Sequence, residues 1–276
     1  METNDIILPD FAQIELEQAE SSFMSWLHDN PNNFSFWFPK VRTCGLPMPG
    51  TVIIPVPEEV IRSEFLERDG DRQRITDFIR DSVLPAIPKE WNGIFVKNGC
   101  FSDKFDFSLC HPKNGLESIS HSFREINMDS LAFDTGGNAE FVIREYIEGT
   151  PKDNRWTIYN GMPLRPEIRV FYDFSRKRVL YSANYWDWDY CHDSICSKFS
   201  EEKNNYETAY PHILEVYEKE KGTVESLAHE HFKDIPDIEG FWSADFMLAG
   251  GQWWLIDMAI AGMSAYWDPH KAGLQP

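Results

Sequence analysis

The spacing of apolar residues changes character along this chain, and the changes mark out its elements. From about 11 to 28, Phe11, Ile14, Ala19, Phe23, Trp26 and Leu27 form a stripe that predicts an amphipathic helix. The run Leu46-Pro47-Met48-Pro49-Gly50 breaks that pattern, and 51–56 then reads as a short strand. A helical period returns over 58–84, interrupted at Asp69-Gly70 and ended by Pro85 and Pro88. Beyond Trp91 the texture becomes strand-rich, with strands expected at 93–97, 140–147, 167–174 and 178–186, and a hairpin over 241–260. A long helical stretch at 205–232 separates the two strand groups. These elements predict an α+β fold of mostly antiparallel sheets with flanking helices, divided into an N-terminal lobe (1–90) and a larger region (91–276).

The hairpin is the most informative segment. Apolar and aromatic runs flank the turn signal Ala249-Gly250-Gly251. A three-residue loop centred on Gly251 would set Asp245 directly opposite Asp257, with Cβ atoms roughly 4.5–5.5 Å apart. Two acids that close repel unless a proton or a cation sits between them, and Mg²⁺ carrying a phosphorylated ligand is the natural resolution. A two-residue loop would instead turn one aspartate to water. Simple alternation places Trp253, Leu255, Asp257 and Ala259 on one face of the last strand.

Composition narrows the function classes. With 276 residues, 42% of them hydrophobic and 14% aromatic, the chain has ample material for a core. No apolar run approaches the roughly 20 residues that span a bilayer, and Met1 to Asp5 lacks the basic start of a signal peptide. The 5 cysteines form no CxxC pair, which fits free thiols and a cytoplasmic location. A net charge of −19 argues against broad, non-specific nucleic-acid binding. The segment 144–178 departs from this balance, carrying Arg144, Lys152, Arg155, Arg165, Arg169, Arg176, Lys177 and Arg178.

Individual strands carry candidate chemistry. Lys97 ends the apolar run Ile94-Phe95-Val96 and enters Asn98-Gly99, a position from which it can meet a phosphate or simply face water. The strand containing Arg144, Glu145, Tyr146 and Ile147 leaves at Glu148-Gly149, where backbone groups can meet a base edge. On the next strand Glu167, Arg169, Phe171 and Asp173 share a face that is either solvated or lines a site, with Arg169 offering a fork suited to phosphate. Asp187, Asp189 and Asp193 sit in the aromatic stretch 185–193 and are expected in a solvated loop.

Taken in order, these segments resemble the ATP-grasp superfamily, and within it the family of cell division cycle protein 123 and its prokaryotic and viral relatives. The resemblance rests on Phe34 to Lys40, Thr51 to Pro57, Asp69-Gly70, Phe95-Val96-Lys97, Phe141 to Tyr146, Glu167 to Phe171 and Trp254 to Asp257. It implies an ATP-grasp fold in which Lys97 and Arg169 bind ATP phosphates. Glu145, Tyr146 and Ile147, next to Arg144, would hold adenine, and Asp245 and Asp257 would coordinate Mg²⁺, with Glu167 as a further site residue. The chain departs from the family pattern at Ala259, where an Asn ligand is usual.

Three functions follow as expectations. The first is an ATP-dependent ligase of RNA ends, in which Lys97 attacks the α-phosphate and Trp186 and Trp188 stack on the RNA. The second is a ligase joining a carboxylate to an amine or thiol through an acyl phosphate. The third is a non-enzymatic, ATP-binding assembly chaperone for a translation factor, whose acidic surface meets a basic protein partner.

Overall fold

The computed structural model describes residues 30–65, 72–132 and 138–274, together with Ser22, Ser25 and Leu27. The helix expected at 11–28 and the Asp69-Gly70 break lie largely or wholly outside these residues.

Helix α1 (Phe34–Val41) buries Phe34, Trp37 and Val41. Strand β1 (Thr51–Pro55) follows, then helices α2 (Glu58–Phe65) and α3 (Arg72–Phe78), the latter continuing through a π turn at Ile79–Val83. Strand β2 (Ile94–Asn98) leads through the short helix α4 (Phe107–Cys110) to α5 (Leu116–Ala132) and β3 (Glu140–Glu145). Strands β4 (Thr157–Ile158) and β5 (Met162–Pro163) form a small hairpin. Strands β6 (Glu167–Asp173) and β7 (Arg178–Asn184) are followed by helices α6 (Trp188–Lys198) and α7 (Lys203–Phe232). The hairpin β8 (Phe241–Ala249) and β9 (Gln252–Ile260) completes the fold.

The strands make a three-stranded sheet in the order β1-β3-β2 and a four-stranded sheet in the order β7-β6-β8-β9, with every pairing antiparallel. The α+β expectation is met. Because β1 pairs with β3, strands from either side of residue 90 share one sheet.

Burial follows alternation. In the first sheet Ile54, Ile94, Val96, Phe141 and Ile143 pack with α3 and α5 in one core. In the second, Ile168, Val170, Tyr172, Ala244 and Phe246 pack against Val224, Ala228 and Phe232 of α7. Each fully buried aliphatic or aromatic side chain there contributes roughly 1.5–3 kcal/mol. The opposite faces of both sheets carry the charged side chains.

Several expectations need correction. The hairpin loop is two residues, because Gly250 and Gly251 both adopt positive φ (62° and 76°), as a tight turn between twisted strands favours. A β-bulge then inserts Ile256, moving the register from Phe246↔Leu255 to Asp245↔Asp257. The two aspartates therefore do sit opposite each other, but the bulge rather than the loop puts them there. It also separates Leu255, which enters the core, from Asp257. Strand texture after Trp91 concealed α5, whose buried stripe of Ile119, Ser122, Phe123, Ile126, Asn127 and Ser130 is half polar. The expected loop at 185–193 is largely helix α6, and Asp187 caps it by accepting the Asp189 N–H (3.1 Å).

Candidate functional site

A cleft lies where the charged faces of the two large sheets meet. Its walls include Phe95, Lys97, Arg144, Tyr146 and Ile147 from the β2/β3 side, and Glu167, Met247, Ile256 and Asp257 from the other. The loop following β2 adds Lys104, and Arg165 lies at the entrance to β6. One end of this cleft is apolar and aromatic; the other is rich in cations and carboxylates.

The expected charge problem at Asp245 and Asp257 is resolved by protein cations. Lys97 Nζ donates to Asp257 Oδ2 at 2.6 Å. Arg169 grips Asp245 with both Nε and Nη2 at 2.7 Å. Burial works to lower the pKa of the Arg169 guanidinium, but Asp245 overrides it and raises the value. Lys97 is no strand-end surface residue, since its side chain is only 3% exposed, whereas Asp257 remains 32% exposed. A third pair joins Lys104 Nζ to Glu167 Oε1 at 3.1 Å, with the Tyr185 hydroxyl 3.4 Å from the same nitrogen. Burial pushes the Glu167 carboxyl up to about 7, with Asp245 adding to the rise and Lys104 opposing it.

Arg144 differs from these. It is 4% exposed, its Nε donates to Thr51 Oγ1 at 3.2 Å, and its Nη1 donates to the Ile256 carbonyl. Among the described residues its buried Nη2 has no hydrogen-bond partner. Burial lowers its pKa to about 10, so it remains charged at neutral pH. An unsatisfied buried donor costs about 1–3 kcal/mol, more when charged, and a bound anion would remove that cost.

At the apolar end, the Glu145 and Tyr146 N–H groups are taken by Gly50 and Gly93 carbonyls at 2.8 and 2.9 Å. Arg165 Nη1 donates to the Ile147 carbonyl at 2.8 Å, and its Nη2 donates to Asn154 Oδ1 at 2.8 Å. Much of this segment's backbone is thus committed within the protein. The Tyr146 ring, stacked 4.1 Å from His111, and the Ile147 side chain are what line the cleft.

The structure therefore gathers Lys97, Arg144, Glu145, Tyr146, Ile147, Glu167, Arg169, Asp245 and Asp257 in and around one cleft. Of the face expected from β6, Glu167 lines the cleft and Arg169 pairs with Asp245, while Phe171 packs on Tyr181 (4.7 Å) and Asp173 is buried at the β6–β7 turn. The basic segment does not form one patch. Arg144 and Arg165 line the cleft and Arg169 lies outside that lining, bound to Asp245, whereas Arg176 and Arg178 approach Asp173 at 3.8 and 3.9 Å. Trp186 is buried and donates to the Arg165 carbonyl, and the half-buried Trp188 stacks on His192. Lys104 and Tyr185 escaped sequence reasoning, because a lysine between Asp103 and Phe105 belongs to no motif.

Several solved structures resemble this chain at low identity. C-terminally truncated Cdc123 from Schizosaccharomyces pombe is 17% identical, with 83% of each chain covered and a TM-score of 0.46. D-alanyl-alanine synthetase A from Vibrio cholerae is 14% identical over 86% of this chain and 57% of its own, with a TM-score of 0.41. A D-alanine–D-alanine ligase from Bacillus anthracis, complexed with ATP, is 11% identical over 98% of this chain and 69% of its own, with a TM-score of 0.37. No family model matches the chain, and no curated protein matches it. No helix among the described residues is long and apolar enough to cross a membrane.

Proposed function

We propose that this protein binds Mg·ATP in the cleft between its two sheets and uses it as an ATP-dependent ligase. The observation that carries the reading is the partnerless Arg144 Nη2, a buried cationic donor beside Lys97 in a cleft with an apolar end. A flat base suits the Tyr146, Ile147, Met247 and Phe95 walls, and phosphate oxygens suit Arg144 and Lys97.

Mg²⁺ fits the donor set in one specific way. Among the described residues no group of three or more His, Cys, Asp or Glu side chains gathers as a cage. Mg²⁺ commonly takes one or two carboxylates and completes its shell with phosphate and water. Asp257, partly exposed, is the carboxylate best placed for this once Lys97 turns to a phosphate, with Asp245 behind it. When bound, the ion would neutralise charge developing on the phosphates. Lys97 then acts as a phosphate-holding cation, and Arg169, fixed by Asp245, presents its remaining N–H groups at the rim.

Ligation of RNA ends through a lysine–AMP linkage is the second reading. Arg155, whose guanidinium lies 4.9 Å from the Trp156 ring, offers a stacking platform on the basic segment. Against it, the Lys97 Nζ is engaged by Asp257 at 2.6 Å, and attack on phosphorus requires a free, neutral amine. Titration calorimetry of Mg·ATP against wild type and Arg144→Met tests the first reading. A loss of at least tenfold in affinity is expected, and equal affinity would sink it. Incubation with α-³²P-ATP decides the second: a labelled protein band, absent in Lys97→Ala, would make nucleotidyl transfer the leading account.

A further inference from the structure

The segment following β9 turns back across the charged face of the second sheet, and its contacts converge on Arg169. The third guanidinium contact of Arg169 is made here, Nη1 donating to the Ala265 carbonyl at 3.2 Å. The strap is fixed on both sides of that carbonyl, before it by the Ser264 hydroxyl 2.6 Å from that of Ser243 and after it by Tyr181. The Tyr181 hydroxyl donates to the Tyr266 carbonyl at 3.0 Å and accepts the Asp268 N–H at 2.6 Å. The Tyr266 hydroxyl donates to the Tyr185 carbonyl at 2.6 Å, and the Tyr185 ring lies 4.9 Å from the Arg169 guanidinium. Trp267 packs on Phe171 at 5.4 Å and stacks on Tyr181 at 6.3 Å.

This fixing has a backbone cost. Tyr266 sits at φ +69°, a left-handed conformation that bulky L-residues rarely adopt unless the surroundings enforce it. A single peptide is therefore pinned where its carbonyl can orient one arginine. Asp245 holds the Nε and Nη2 side of the guanidinium, and Ala265 fixes the third nitrogen, so the plane of the fork has one orientation.

We propose that the strap Ser264–Asp268 positions Arg169 for the terminal phosphates of the nucleotide, with Tyr181 as its pin. This rests on the nucleotide reading above. Tyr181 touches no expected ligand; it acts through the strap and Arg169, so it is a positioning residue. A free guanidinium rotating about its side-chain bonds would serve phosphate less well than one already oriented.

The test compares ATP with AMP, which lacks the terminal phosphates, by calorimetry on the full chain. Tyr181→Phe removes both pin bonds and keeps the ring stack. It should weaken ATP binding about tenfold while changing AMP binding less than twofold. Tyr266→Phe, which removes the Tyr185 anchor, should move the ATP/AMP ratio in the same direction. Combining Tyr181→Phe with Arg169→Lys should add less than twofold to the loss from Arg169→Lys alone. If wild type binds both nucleotides and the variants keep its ATP/AMP ratio while melting earlier, the strap is only structural and the proposal is overturned. If wild type binds neither nucleotide, the reading of the cleft fails and this proposal falls with it.

Discussion

The two sheets meet the cleft with different charge. The three-stranded sheet contributes Lys97 and Arg144, while the four-stranded sheet contributes Glu167 and Asp257, with the Arg169–Asp245 pair next to them. Two kinds of ion pair result. Lys97–Asp257 spans the sheets, whereas Arg169–Asp245 joins neighbouring strands within one sheet. The spanning pair can open for a ligand without disturbing either sheet. The internal pair, bidentate and buried, stays closed and fixes the orientation of the Arg169 guanidinium. Similar charges on facing surfaces thus form an openable contact in one case and a fixed one in the other.

The largest expected effect falls on the internal pair. Asp245→Ala leaves the Arg169 guanidinium buried without its carboxylate and should destabilise the fold by roughly 3–5 kcal/mol, read as a lowered denaturation midpoint. A loss below about 1 kcal/mol would erase the distinction drawn between the pairs. Lys97→Met should do the reverse. Asp257 is partly exposed and can rehydrate, so stability should fall by no more than about 1 kcal/mol, while Mg·ATP affinity should drop by about tenfold or more; calorimetry beside thermal melts checks both.

A third site sharpens the contrast, because there two acids meet each other. Burial, and then a hydrogen bond with Asp129, pushes the Asp103 carboxyl up to about 7. Between the ordinary carboxylate range and pH 7 the folded state therefore binds more protons than the unfolded one. Stability should be fully present at low pH within that window and lost as pH rises through 7. The melting temperature should fall between pH 5 and 8, with a shallower slope in Asp103→Asn; parallel slopes would remove the effect from this pair. The smallest effect concerns the hairpin turn. Gly250→Ala places a Cβ at φ +62° and should cost about 1–2 kcal/mol, with nucleotide affinity unchanged.

Sequence alone made much of this legible where pattern and chemistry coincided. The Glu167–Asp173 strand, the helix ending at Phe232 and the β8–β9 hairpin follow directly from their periodicity. Arg169 and Lys97 were readable because a charged residue in a strongly apolar strand needs a reason to be there. What stayed hidden depended on tertiary partners. Lys104 becomes a cleft residue only when its loop crosses to Glu167, and the orphaned nitrogen of Arg144 exists only once Thr51 and Ile256 have taken its neighbours. Helix α5 was missed because Ser122, Asn127 and Ser130 occupy buried positions that a hydrophobic count scores as surface. The partners of Asp245 and Asp257 were equally invisible, since the sequence posed the electrostatic problem without saying which cations would answer it.

The extra residue in β9 acts on this cleft much as a frameshift acts on a message. Everything from Asp257 onward is read in a frame that Ile256 creates, with Asp257 facing Asp245 and Ala259 facing Ser243. Pairing the same sequence without the bulge would leave composition and charge unchanged, yet it would set Ile256 opposite Asp245 and hand the following side chains to the opposite surface, sending an acid toward the packed interior. It would also move the carbonyl that Arg144 holds. The chemical identity of the site is written in its residues, but its sense depends on a count of one.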